Sequence, residues 1–149
     1  MLQEGDRLPI FQVLDDHGHA VTDTDLGEGI VVLYFYPKDD TPGCTRQACG
    51  LRDAQGQYSE RGIRVFGVSA DDVASHAAFR DKFDLNFPLL ADTERVLCEA
   101  FGVWGEQEWK GQKYMGISRN TYILRDGVLQ TIFPNVDVLT HADRILAAV

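Results

Sequence analysis

Long apolar runs are missing from this 149-residue chain: the longest, Ile30 to Tyr36, spans seven residues. A membrane helix needs roughly 20. Basic charge is also scarce, with 14 Lys and Arg against 23 Asp and Glu and a net charge of −9. A nucleic-acid binder carries a basic surplus or stripe to neutralise phosphates, and neither is present. The same acidity gives an anionic lipid surface no attraction, so the expected partners are a small molecule or another protein, with no nucleic acid and no membrane. Cysteine is limited to Cys44, Cys49 and Cys98, too few for the disulfide framework of a small secreted domain. The opening Met-Leu-Gln-Glu-Gly-Asp has no basic segment followed by an apolar one and no Arg-rich transit pattern, which leads to an expected cytoplasmic location. There is no repeat, low-complexity tract or Pro/Gly/Ser linker to divide the chain, so residues 1–149 are expected to form one domain.

What is present reads as an ordinary globular protein: 44% apolar and 25% charged residues are enough for one core and a solvated surface. Two short strands are expected around the turn-rich Asp15-Asp16-His17-Gly18. Ile30 to Tyr36 is β-branched and aromatic, the pattern of a buried central strand. From about Thr41 to Glu60, Cys44, Ala48, Leu51, Gln55 and Tyr58 fall near one stripe of a helix that Gly62 ends. Ile63 to Ser69 reads as a strand, Val73 to Phe83 as a helix, Phe87 to Leu90 as a short strand, and Thr93 to Phe101 as a helix closed by Gly102. Val103 to Gly116, polar and glycine-bearing, reads as a long loop. Asp126-Gly127 between Thr121–Leu124 and Val128–Phe133 is a strong hairpin signal, and Thr140 is placed to cap a last helix. This order predicts an α/β, thioredoxin-like fold: a central mixed β-sheet flanked by helices, with an N-terminal β-hairpin extension.

The segment Tyr36-Pro37-Lys38-Asp39-Asp40-Thr41-Pro42-Gly43-Cys44-Thr45-Arg46-Gln47-Ala48-Cys49 follows the central strand and opens a helix. In open α/β sheets that junction is where ligands bind. Thr41 suits the N-cap and Pro42 the first helical position, where a missing N–H costs nothing. Cys44 then falls third in the helix, among unpaired N–H groups and at the positive end of the helix dipole. Position alone can raise the thiolate fraction roughly thirtyfold over an ordinary cysteine. A single cysteine here would otherwise read as packing. The Pro-bracketed loop, the helix start and Cys49 five residues on favour a nucleophile.

At these residues the chain resembles the peroxiredoxins. Pro37-x-x-x-Thr41-x-x-Cys44 is similar to their signature, and Asp40-Thr41-Pro42-Gly43-Cys44-Thr45 to the peroxiredoxin Q branch, also called bacterioferritin comigratory protein. Gln47-Ala48-Cys49, Leu51-Arg52-Asp53, Phe101-Gly102-Val103-Trp104, Tyr114-Met115-Gly116, Arg119 and Thr121 extend the likeness over the whole chain. Asn120 departs from it, standing where Ser or Thr is expected. The resemblance implies a peroxidase that reduces hydrogen peroxide and organic hydroperoxides and uses no cofactor or metal. Cys44 would attack a peroxide oxygen and become a sulfenic acid. The Thr41 hydroxyl, the backbone N–H groups near Gly43 and Cys44, and Arg119 would stabilise charge on the two oxygens. Pro37 and Pro42 would shape the loop. Cys49 would resolve the sulfenic acid as an intramolecular disulfide, and thioredoxin or a similar dithiol would reduce it. The branch favours a monomer. Without the resemblance, an Arg at a strand start reads as a partner for a surface carboxylate.

The remaining cysteine, the histidines and the tryptophans carry no expected catalytic role. Cys98 is expected off the apolar stripe of its helix and without a redox role. His17 and His19 read as a solvated turn, and His76 and His141 as surface positions on helices. Trp104 and Trp109 would flank the loop. A thiol–disulfide oxidoreductase of the thioredoxin kind would carry Cys-x-x-Cys, and Cys44 and Cys49 have four residues between them. A redox sensor would react with peroxide but turn over slowly. A zinc module lacks a four-ligand set.

Overall fold

The structure, a computed structural model, describes residues 2–149, with the side chain of Trp109 outside the described residues. Strands β1 (Gln12–Asp15) and β2 (Ala20–Thr22) pair antiparallel across a turn in which Asp15 Oδ1 accepts the N–H groups of His17 and His19. β3 (Ile30–Phe35) is buried from Val31 onward, as a run of β-branched and aromatic residues covered on both faces must be. Then come α1 (Pro42–Asp53), α2 (Gln55–Glu60) and β4 (Ile63–Ser69). α3 (Val73–Phe83) starts where Asp72 accepts the Ser75 N–H at 2.8 Å, an N-cap bond. It stops at Asp84, whose left-handed backbone has φ 53°. β5 (Leu89–Ala91), α4 (Val96–Ala100), β6 (Trp104–Trp109), β7 (Gln112–Ile117), β8 (Thr121–Arg125), β9 (Val128–Phe133) and α5 (His141–Ala148) complete the chain.

Seven strands form one sheet in the order β2-β1-β5-β4-β3-β8-β9. β3, β4 and β5 run parallel, linked by crossovers through α1–α2 and α3, while β8 and β1 join at either side antiparallel. This is the expected mixed sheet between helices. One core lies between the sheet and α4, around Leu33, Phe35, Phe101 and Tyr122. The other joins the sheet to α1, α3 and α5 through Tyr34, Ala48, Leu51, Phe79 and Ile145. Here Gly67 of β4 is needed, because a Cβ would lie 2.9 Å from the Tyr34 ring that crosses it. Asp126 and Gly127 turn β8 into β9 with φ 50° and 79°, the two positive values a tight hairpin requires.

Four expectations change. The helix over 41–60 is broken at Ala54 into α1 and α2. The stretch from Val103 to Gly116 is a β6–β7 hairpin, not a loop, turning through Lys110 and Gly111 at φ 48° and 80°. The N-terminal hairpin is present as expected, β1 with β2, and β1 also pairs with β5 of the main sheet. α4 begins late because Arg95 is left-handed at φ 59°, and Asp92 below it accepts the Leu97 and Cys98 N–H groups. This turns Cys98 inward among Leu97 and Phe101, where burial pushes its thiol well above the usual range. Finally, His76 and His141 are buried. Among the described residues no helix is long and apolar enough to cross a membrane.

Candidate active site

Thr41 has extended backbone (φ −98°, ψ 155°) and Pro42 is the first helical residue, so Cys44 stands third in α1 as expected. The first intrahelical bond runs from the Thr45 N–H to the Thr41 carbonyl at 2.8 Å. The N–H groups of Gly43 and Cys44 therefore precede any helical acceptor, and Pro42 has none to offer. Thr41 does not cap with its side chain. Its hydroxyl donates instead to the Lys38 carbonyl at 3.0 Å, tightening the loop onto itself. Cys44 is 2% exposed and packs against Tyr34, Tyr36 and Ala48. Cys49 is half-buried, lies inside the same helix, and lines an open depression with Thr41, Pro42 and Arg46. Both are free thiols.

Arg119 reaches this helix from the segment that leads into β8, the strand next to β3. β8 pairs antiparallel with β3, Thr121 opposite Tyr34, so the residues before Thr121 lie beside the end of β3 from which the Pro37 loop departs. The Phe35 N–H bonds to the Asn120 carbonyl at 2.8 Å and extends the ladder to that point. The guanidinium then places Nη2 3.4 Å from Cys44 Sγ and Nη1 2.6 Å from Gln47 Oε1. Gly43 makes room for it: a Cβ there would stand 3.3 Å from Nη2. Asn120, the departure from the branch pattern, leaves this contact in place. Its side chain faces Tyr122 and the Asn135 N–H instead.

The loop between strand and helix is anchored by a buried polar network absent from the sequence reading. Asp39 accepts the Tyr36 hydroxyl at 2.6 Å, the Ser75 hydroxyl at 2.8 Å and His76 Nδ1 at 2.7 Å. Its own N–H donates to Asp71 at 2.8 Å. His76 Nε2 lies 2.9 Å from the Leu90 carbonyl, so both ring nitrogens face acceptors, an arrangement that favours the protonated ring. Burial opposes that charge, but the Asp39 bond and charge outweigh it, and the His76 pKa is raised. Pro37 is exposed on this loop between the anchored Tyr36 and Asp39, where its fixed φ stiffens the turn. The donor atoms of Asp39, Asp71 and His76 lie within 4.8 Å of one another, yet these bonds already occupy them.

Cys44, Thr41 and Arg119 thus belong to one corner of the fold, with Pro37 on its loop and Cys49 one and a half turns along the helix. Gln47, His141, Asp39 and His76 were missed. Periodicity could have found the histidines: His76 lies three and seven residues before Phe79 and Phe83, and His141 four before Ile145, which are helix-face spacings. His17 and His19 are exposed in their turn, and Trp104 packs under Arg95 at 4.3 Å.

Residues 5–132 match the AhpC/TSA family. The Escherichia coli protein called peroxiredoxin Bcp is 41% identical over 97% of this chain and 94% of its own, and the Bacillus subtilis peroxiredoxin Bcp 39% over 97% and 93%. Among solved structures, a cysteine-to-serine mutant of Xylella fastidiosa PrxQ superposes with TM-score 0.93 at 30% identity, covering 99% of this chain and 95% of the other. The bacterioferritin comigratory protein of Xanthomonas campestris, described in terms of alkyl peroxide reduction, gives 0.88 at 33%, with 96% of each chain covered.

Proposed function

This chain belongs to the AhpC/TSA family, in its bacterioferritin comigratory protein or peroxiredoxin Q branch, and we propose on that premise that its peroxidase chemistry runs through Cys44 and Cys49. It is a thiol-dependent peroxidase with a thioredoxin-like fold. The observation that carries the site assignment is the Arg119 guanidinium 3.4 Å from a cysteine in the first turn of a helix. The guanidinium and the unpaired N–H groups of that turn set donors around the sulfur, where they face the negative charge that develops when it attacks an oxygen.

The Cys44 sulfur attacks the nearer oxygen of a hydroperoxide and the O–O bond breaks. Cys44 becomes a sulfenic acid, and the leaving oxygen takes a proton and departs as water or an alcohol. Arg119 and the Gly43 and Cys44 N–H groups face the charge that spreads over the two oxygens. Because the Thr41 hydrogen is committed to Lys38, its oxygen presents lone pairs and accepts the O–H of the incoming peroxide. The Cys49 thiol then attacks the sulfenic sulfur, releasing water and forming a disulfide. A dithiol protein such as thioredoxin reduces it by exchange and regenerates both thiols. Cys44, Cys49, Thr41 and Arg119 all sit on one chain, so the cycle needs no second copy of it; the working unit in this reading is a monomer in the cytoplasm, where dithiol reductants are kept reduced.

Steady-state reduction of hydrogen peroxide and of an alkyl hydroperoxide, driven by thioredoxin, tests the cycle. Turnover with both is expected, and none from Cys44→Ser, whose fold should be intact because the change in volume is small. Substantial turnover by Cys44→Ser would overturn the assignment.

A further inference from the structure

Arg119 has a long, flexible side chain, and its place beside Cys44 depends on what holds its other end. That hold is a chain of three buried groups whose hydrogen-bond directions are forced. Arginine only donates, so the Gln47 oxygen must face Nη1, at 2.6 Å. This orients the Gln47 amide and turns its NH2 group toward His141 Nδ1, 3.1 Å away. An amide nitrogen only donates, so Nδ1 must carry a lone pair. The ring proton is then on Nε2, which donates to Thr121 Oγ1 at 2.7 Å. Thr121 lies two residues from Arg119 on the same segment, so the chain closes into a ring through the backbone. Gln47, Thr121 and His141 are each no more than 1% exposed.

We propose that His141 is a positioning residue for the peroxide step: acting through Gln47, it fixes the Arg119 guanidinium against Cys44. The proposal rests on the reading of Cys44 as the nucleophile. His141 touches no reacting atom, since both ring nitrogens are occupied at a distance from Cys44. Its part is to keep the amide in the one orientation that offers Arg119 an oxygen. A protonated ring would set N–H against NH2, and the amide could relieve that only by turning its NH2 toward the guanidinium. The surroundings prevent this state. Burial first, then the positive charges of Arg119 and of Arg144 on its own helix, hold the His141 pKa down to about 4. The ring of Tyr34, which is uncharged, stands edge-on to it at 5.9 Å. Anchorage of this kind matters because an untethered Arg side chain would have to give up rotamer freedom in every reaction cycle.

The test is the rate at which hydrogen peroxide oxidises Cys44 in a single turnover of the full chain, measured by trapping the sulfenic acid across a range of pH. His141→Leu is expected to slow that step by about tenfold, the scale of a lost contact within a coupled network. It is also expected to change the acid side of the pH–rate profile, because the ring whose protonation near pH 4 would turn the Gln47 amide is gone. His141→Asn restores most of the rate, because its side-chain oxygen sits where Nδ1 sat and accepts from Gln47. In a Gln47→Ala background, His141→Leu adds less than about twofold, since the residue through which it acts is already gone. Parent-like rate and profile in His141→Leu would overturn the proposal, as would a full additional tenfold loss in the Gln47→Ala background. If His141→Leu fails to fold, a His141→Asn rate no better than that of Gln47→Ala overturns it. Failure of peroxide to oxidise Cys44 in the parent protein would instead remove the reading beneath it, and this proposal with it.

Discussion

Replacing Gly50 by alanine isolates the conformational step between attack and resolution. Cys44 and Cys49 lie in one continuous helix, Pro42–Asp53. In an ideal α-helix, residues five apart are separated by roughly 7.5 Å along the axis and 140° around it, which puts their Cα atoms roughly 8.7 Å apart. A disulfide tolerates at most about 6.8 Å, so the bond cannot form while the helix persists. Opening through Cys49 would leave only Gly50–Asp53 before the break at Ala54, a single turn that does not sustain itself. All of α1 must therefore open, Gly50 included. A Cβ at Gly50 would meet no atom within 4 Å, and its φ is not positive, so alanine fits without strain. Alanine is worth about 1 kcal/mol over glycine in a helix, which lowers the open population by about fivefold. Disulfide formation should slow by that factor, and sulfinic acid at a given peroxide concentration should rise correspondingly. Mass spectrometry of quenched time points reads both. The reduced variant should also melt about 3 °C higher, which confirms that the helix was strengthened. A variant that melts higher and still resolves at the parent rate would refute the requirement for opening.

Hydrogen exchange should show amides from Cys44 to Ala54 protected in the reduced protein and unprotected in the disulfide form; equal protection, with the disulfide confirmed, contradicts the opening. Cys49→Ser should consume one equivalent of peroxide, stall as sulfenic acid and drift to sulfinic acid, while Cys98→Ser turns over like the parent; a dominant Cys44–Cys98 disulfide in the mass spectrum would displace Cys49 from its role. Arg119→Ala should slow the peroxide step by about a hundredfold, the scale of one lost donor to a developing oxyanion, and an unchanged rate would leave Arg119 structural. The two buried histidines should pull stability in opposite directions. The raised pKa of His76 gives stability present below about 6.5 and lost as pH climbs through the folded value, so His76→Gln should cost most in acid and less in alkali. His141 is held down to about 4, so its contribution is intact above about 6.5 and is lost as pH falls from there, and denaturant titrations of His141→Asn should show that acid-side loss flattened.

The parts of the site that could be read from the sequence are those written locally. Thr41-Pro42-Gly43-Cys44 states a helix start in four residues, and Asp126-Gly127 states a hairpin in two. The β6–β7 hairpin has no such signature: its turn is Lys110-Gly111, and most of β7 is exposed, so no buried face imprints an alternating pattern. The break at Ala54 carries neither proline nor glycine. α4 is five residues long, too short for a stripe to declare itself, which is why Cys98 was expected on the wrong side. His76 and His141 were misread, and Asp39 was passed over, for another reason. Polar residues default to the surface unless their partners are known, and here the partners are 37 residues away for Asp39 and His76 and 94 for Gln47 and His141. The helix spacing that points both histidines inward was available. The bonds that make their burial tolerable were not.

The pairing of β8 with β3 acts as a ruler between two residues 75 positions apart in the chain. Thr121 opposite Tyr34 sets where Arg119 emerges, and each residue of slip would carry it about 3.4 Å along the sheet and turn its side chain to the other face. Chain length is therefore constrained very unevenly. A residue gained or lost within Thr121–Arg125 destroys the alignment of guanidinium and sulfur. Among the described residues β6 and β7 form a two-stranded sheet separate from the one that holds β3 and β8, so lengthening their turn at Lys110-Gly111 leaves the ruler's register untouched. That turn is where evolution can vary this protein's outline, and where an engineer can insert a reporter, without resetting the chemistry.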